Sequence, residues 1–358
     1  MSVKAGWIKT VGLLTIAVFI HFFSRDPQRV EQYYSSTFYK DISNFQRAIL
    51  GWIPFSVGDI IYIVAIIYIV FRVLRRVGIL RRRYREISIR HIFHKSGSYI
   101  NTFLLLYIIF NIVWGLNYNR TPVAEKIGLK LQSYTAAELE EVTCLLIDKV
   151  NHFRLKLPAK NPSTHKLYTK VHNAYKNASL KYPFMEMKNH SAKSSLFSVI
   201  GSYAGFTGYY NPFTGEAQVC VDYPKFLLPY TASHEVAHQL GFAKENEANF
   251  VGYLAAVNSN DPLLKYSVYL DLFIYANRSM YRNDSALAQA HRKSLNLDVH
   301  RHLDEWSEFN ARHRNPVEPY FRWLYGKFLQ GNQQPRGMMT YDEVTGFIMA
   351  IYKRDGNL

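Results

Sequence analysis

The chain is poor in cysteine: Cys144 and Cys220 are the only two in 358 residues. They do not form a CxxC, which excludes a zinc knuckle and a thioredoxin-type redox site. Two buried free thiols are the expected outcome, rather than a disulfide. Acids are also scarce, with 27 Asp and Glu against 43 Lys and Arg and a formal net charge of +16. The deficit is sharpest from Arg72 to Lys95, where Arg72, Arg75, Arg76, Arg81, Arg82, Arg83, Arg85, Arg90 and Lys95 meet a single acid, Glu86. There is no internal repeat and no low-complexity tract, which sets aside solenoids and unstructured linkers. A cleavage site is missing as well. The first apolar segment ends in Phe22-Phe23-Ser24-Arg25-Asp26, which is not small-x-small, so an uncleaved anchor is expected rather than a removed signal peptide.

Long apolar runs are present, all in the first third. They cover about residues 7–23, 49–73 and 99–116, each close to the roughly 20 residues that cross a bilayer core. Trp7, Trp52, Trp114 and Tyr118 mark their ends, as at a water interface. The basic run lies between the second and third segments, so a membrane reading explains it better than nucleic-acid binding, and no nucleic-acid partner is expected. Basic loops stay in the cytoplasm. Lys4 and Lys9 then keep the N-terminus inside, and everything after about Asn117 faces the extracytoplasmic side of an inner membrane. Asp59 falls within the second apolar segment, where a carboxylate is costly. Its plain reading is a cap or local pair near the outer interface.

Residues 119–358 form a water-compatible domain without a further spanning segment. Thr135-x-x-Glu138 is a capping box that opens a helix to about Leu157. Strands are expected at about Leu196–Tyr203 and Glu216–Val221, joined through Gly201, Gly205, Gly208 and Asn211-Pro212. Pro229 precedes a helix of about Tyr230–Leu240, which Gly241 ends as a C-terminal cap. A second helix starts near Glu245 and runs to about Val257. Later segments are helical, and Thr340-x-x-Glu343 caps a last helix to about Lys353.

The most informative stretch is His234-Glu235-Val236-Ala237-His238, followed by Gly241, Glu245 and Glu247. On a helix, residues i and i+4 share a face, so His234 and His238 can present two imidazoles to one Zn²⁺. Glu235, between them, can act on a water molecule as general base. Two histidines need a third protein ligand, and the nearest carboxylates are Glu245 and Glu247. A tight turn at Gly241 folds the second helix back so that its first residue, Glu245, meets the metal. Asn249, one turn on, is placed to hydrogen-bond a ligating imidazole. Glu247 projects about 200° from Glu245 on a regular helix, so both cannot ligate.

This pattern resembles the zincin metallopeptidases, in particular the gluzincin branch with two histidines and a glutamate. Glu245-x-x-Ala248-Asn249 is similar to the Glu-x-x-Ala-Asp helix of membrane-bound peptidases related to the CAAX prenyl protease and the bacterial heat-shock protease. Asn249 stands where those families carry aspartate, and the spacer from His238 to Glu245 is shorter. The resemblance covers about Leu196–Leu254 and implies His234, His238 and Glu245 as zinc ligands and Glu235 as the base. It also implies an edge strand within Gly208–Val221 that pairs with an extended peptide. The three-span layout with this motif also resembles an uncharacterised family of bacterial envelope proteins. The expectation is an α-helical membrane region of three transmembrane helices (1–118) followed by an α+β zincin-like domain (119–358) with a small sheet and a mostly helical C-terminal part. The function expected is that of a membrane-anchored zinc metallopeptidase acting on a peptide or protein substrate. The alternative is a zinc-containing envelope scaffold that cleaves nothing. Tyr341, or one of His291, His300, His302 and His313, is a candidate to steady an oxyanion, although these histidines lie on polar helices where solvation is the plainer expectation.

Overall fold

A computed structural model describes residues 3–82, 89–158 and 160–358. Two members of the basic run, Arg83 and Arg85, lie outside them. The first third is helical. Val3–Phe23 packs along Ile89–Val113, and Val57–Arg82 stands as a third long helix. Among the described residues, two runs are long and apolar enough to cross a bilayer, Gly6–Phe23 of 18 residues and Val57–Arg75 of 19. Two expectations change here. The third apolar run, Gly97–Val113, is shorter, because the start of its 25-residue helix carries Arg90, His91, His94 and Lys95. The second run begins at Val57 rather than Ile49. Ile49 and Leu50 instead close a separate helix, Tyr39–Leu50, and Gly51 and Pro54 lie in the turn between.

The connection between the first two long helices is itself folded. Asp26 caps a short helix at Pro27 by accepting from the Gln28 and Arg29 amides, and a π-helical stretch, Glu31–Phe38, leads into Tyr39–Leu50. This segment packs on the later part of the chain. Buried Tyr34, Tyr39, Ile108, Trp114 and Tyr118 form one cluster with Ala243.

The main core gathers helices Ala136–Arg154, Thr164–Ser179, Pro262–Tyr281 and Val344–Asp355 around a central pair, Leu228–Gln239 and Glu245–Val257. The Thr135–Glu138 capping box forms in both directions, at 3.2 and 2.7 Å. Beside the central pair lies a three-stranded mixed sheet in the order β1-β3-β2. Strands β1 (Ala192–Ser194) and β3 (Glu216–Val219) are parallel, and β2 (Gly208–Asn211) is antiparallel to β3 with Tyr210 opposite Ala217. The strand expected at Leu196–Tyr203 is instead a helix, Ser198–Ala204, closed by Gly205 at φ +80°. Leu196, Val199, Ile200 and Tyr203 sit at helical spacing, and their β-rich composition masked that period. The last helix also differs: Gly337–Glu343 is a 3-10 turn, and Val344–Asp355 starts without a side-chain cap.

Candidate metal centre

The Leu228–Gln239 helix is almost wholly buried, so its polar residues need partners within the protein. His234 Nδ1 donates to Asn249 Oδ1 at 2.7 Å, and His238 Nδ1 donates to the Phe242 carbonyl at 2.6 Å. These bonds fix both tautomers and turn both Nε2 atoms toward one point, 3.1 Å apart. Glu245 Oε2 lies 3.1 Å from one Nε2 and 3.7 Å from the other. Glu235 joins them, and His234, Glu235 and His238 offer ligand atoms within 4.8 Å of one another.

The turn that makes this possible is local. Gly241 adopts φ +83°, a left-handed conformation that side chains resist, and the Phe242 amide reaches back to the Ala237 carbonyl at 3.3 Å. The second helix then returns against the first. Gly252 permits that approach, since a Cβ there would stand 3.2 Å from the His234 backbone nitrogen.

The electrostatics match a cation site. Burial works against the His234 imidazolium, but the Glu245 carboxylate outweighs it and lifts the group to about 9. Burial raises Glu235 to about 7, against the pull of His234 and His238. Glu245 is held well below the carboxylate range, the two histidines overcoming its burial. Glu235 Oε2 and Glu245 Oε2 are buried without a hydrogen-bond partner among the described residues. Two imidazole Nε2 atoms that face each other, with Glu245 Oε2 against both and Glu235 Oε2 unpartnered beside them, are a donor set that fits a divalent cation bound by nitrogen and oxygen once the imidazoles give up their Nε2 protons.

Glu247 sits elsewhere, as the helical rotation predicts. Its Oε1 accepts from the Val123 amide at 2.9 Å, and burial raises its pKa. Tyr325, which sequence reasoning missed, donates to Glu245 Oε1 at 2.6 Å. Contacts from the first third escaped the sequence pattern as well. Trp114 stands edge-on to His238 with centroids 6.0 Å apart, and the Tyr39 hydroxyl lies 3.2 Å from the His238 carbonyl oxygen. Arg120 pairs with Glu31 at 2.9 Å, donates to the Leu240 carbonyl and covers the Phe242 ring, so it clamps the Gly241 turn. These contacts span 80 to 200 residues of sequence, and no local spacing announces them.

The cluster opens into a cavity of about 740 Å³. Edge strand β2 forms one wall. Gly208 is so close to the motif helix that a Cβ there would lie 2.6 Å from Glu235 Oε1. The Pro262–Tyr281 helix turns Asp271, Tyr275 and Arg278 toward the same space, and burial raises Asp271 to about 7. None of His291, His300, His302 and His313 lines it. Three of the four are not solvated as expected. His291 is buried against Cys144 at 3.7 Å, His302 stacks on Phe226 at 4.3 Å, and His313 meets Asp222 at 3.4 Å. The side chain of Tyr341 lies outside the described residues. Both cysteines are free, but only Cys220 is buried, whereas Cys144 is exposed. Asp59 does pair, although not locally. It is buried and accepts from the Tyr209 hydroxyl, the Ser195 hydroxyl and the Leu196 amide, which ties the start of its long helix to the sheet.

A mostly helical chain with a small mixed sheet, in which two histidines and a carboxylate converge beneath an edge strand, is the class that fold and site define. The chain belongs to the family described as "Protein of unknown function (DUF3810)", whose model matches residues 34–349 and so spans the whole cluster. No curated protein and no solved structure matches it.

Proposed function

We propose that the chain is a membrane-anchored zinc metallopeptidase. The observation that carries this reading is the pair of Nε2 atoms 3.1 Å apart, each fixed by a bond from its own Nδ1, with Glu245 against both and Glu235 beside them. His234, His238 and Glu245 would hold the metal. Zinc, when bound, would polarise a carbonyl and lower the pKa of water. Glu235, raised to about 7 by burial, is matched to the base role: it takes a proton from water and returns it to the leaving amine. Strand β2 presents an unpaired edge beside Glu235, suited to an extended peptide. Tyr275 and Arg278 line the same cavity and are the side chains this reading assigns to a developing oxyanion.

The membrane part of the reading rests on Gly6–Phe23 and Val57–Arg75, whose apolar side chains face outward. The 25-residue helix Ile89–Val113, about 37 Å long at 1.5 Å per residue, returns the chain to the same end and makes a third span. The basic run then lies on the cytoplasmic side and the metal centre on the extracytoplasmic side, facing the periplasm. A metal-bearing scaffold would have no use for an unpaired carboxylate at Glu235.

The test is Glu235→Gln in the full-length protein. Zinc content of about one per chain should persist, because one ligand set is present, while peptide hydrolysis should fall at least ~100-fold. Full activity in this variant would remove Glu235 from the mechanism. Equal inertness of both proteins on peptide libraries, with zinc bound, would favour the scaffold.

A further inference from the structure

The later part of the chain carries an apolar surface that its own core does not cover. On the Ser198–Ala204 helix and its lead-in, Leu196, Val199 and Ile200 are 55–59% exposed. On Glu318–Gly331, Tyr320, Trp323 and Leu324 are 57–70% exposed. These two helices pack together: Asn315 donates to the Tyr203 carbonyl at 2.6 Å, and a Cβ at Gly205 would touch Glu318 at 3.2 Å. Other exposed apolar residues of this part, such as Leu155, Leu180 and Leu297, stand singly, which is ordinary for a wet surface.

This patch adjoins the Val113 end of the Ile89–Val113 helix and the turn that follows it. Phe328 meets Phe110 at 6.4 Å and Tyr118 at 6.3 Å, edge to face. The same cavity that holds His234 and Glu235 is lined by Tyr62 and Phe110 from the long helices and by Ala204, Phe321 and Phe328 from the patch. Tyr62 is five residues inside the Val57 end, about 7 Å at 1.5 Å per residue, and Phe110 is three residues, about 5 Å, inside the Val113 end. That depth coincides with the roughly 5–10 Å to which interfacial helices bury their apolar faces. Arg322 and Lys327 flank the apolar residues on long stems that can reach the headgroups.

We propose that Leu196–Tyr203 and Tyr320–Phe328 form an apron seated in the outer leaflet of the bilayer, so that the metal centre is entered at the membrane–water boundary. Substrates would then be amphiphilic chains drawn from the membrane surface. This inference rests on the membrane reading above, and the occupant it names is lipid.

The test uses full-length protein in nanodiscs of dioleoyl phosphatidylcholine. A nitroxide is attached to Val199→Cys, Leu324→Cys, Ile67→Cys or Leu180→Cys in a Cys144→Ser background, with Cys220 left buried. Accessibility to oxygen, which concentrates in lipid, is compared with accessibility to a water-soluble nickel chelate. Labels at 199 and 324 should resemble the one at 67 and differ from the one at 180. If 67 reports lipid while 199 and 324 report water, the apron is wrong and the membrane reading stands. If 67 also reports water, the membrane reading fails and takes the apron with it. Labels at 199 and 324 shielded from both reagents would place protein, such as a second copy of the chain, on this face and overturn the proposal.

Discussion

The two parts of this molecule solve the same problem in opposite directions. In the first third the apolar side chains face out: Val64, Ile67 and Phe103 are 61–72% exposed, while Ser56, Asp59 and Asn111 are buried. After Asn119 the arrangement is the familiar one, with Leu146, Tyr175, Leu264 and Leu270 fully buried. Apolar area leaves water wherever it can, so the outward apolar faces of these long helices are what supports the membrane setting proposed above. The contrast also isolates the exceptions. Polar His234, Glu235, His238 and Glu245 lie buried in the second part, and an apolar patch lies exposed on it. The two exceptions meet at one cavity, where the second part uses the first as its wall.

Breaking the buried cluster should have the largest effect. Glu245→Ala should cost several of the roughly 10–16 kcal/mol typical of structural zinc sites, measured by chelator competition, whereas Glu247→Ala should leave zinc affinity nearly unchanged. Glu247 accepts from Val123 and faces away from the histidines, so its loss should appear as a lower melting temperature instead. The reverse pattern would mean that the second helix enters at another angle.

The inside-out contrast can be tested directly by placing a charge on each surface. Ile67→Asp, at an exposed position of the second long helix, should impair membrane insertion by about 2.5–3.5 kcal/mol. Leu180→Asp, more exposed still but on the later part, should stay within about 0.5 kcal/mol in thermal unfolding. Equal and small effects would erase the distinction between the two surfaces.

A smaller effect is expected where the two parts are joined. Arg120→Met should destabilise by about 2–3 kcal/mol, less than for a fully orphaned buried charge, because Lys126 stays 2.5 Å from Glu31. In the intact protein burial pushes the Glu31 pKa up, but Arg120 and Lys126 overcome it and hold the group near 2. A folded-state value below the ordinary 4.5 means that this stabilisation is fully present above about pH 4.5. It is lost as pH falls toward 2. It amounts to on the order of 2 kcal/mol once solvent screening is allowed for. The variant should therefore show a shallower loss of stability over that acid range. An unchanged acid limb would remove the pair from the joint.

Much of the candidate site could be read from spacing. The i, i+4 histidines, the Gly241 turn and the Glu245–Asn249 turn all lie within sixteen residues, so local helical geometry makes their juxtaposition legible. The capping box at Thr135 is equally local. Leu196–Tyr203 departs from the expected strand because strand-forming residues there obey a helical period whose apolar side faces outward, so composition points one way and spacing the other. The shortfall of the third apolar run has a similar origin: its helix continues into the charged residues before Gly97.

The sequence by itself determined the pair of imidazoles, the carboxylate between them and the apolar runs, because each depends on neighbours within a turn or two of helix. Tertiary structure alone decided that Trp114, Tyr39 and Arg120 enclose the motif, that Tyr325 holds Glu245, that Asp59 anchors to the sheet and that β2 lies against Glu235. Those contacts join residues brought together only when burial packs distant helices, and the free energy that selects them belongs to the whole core rather than to any segment.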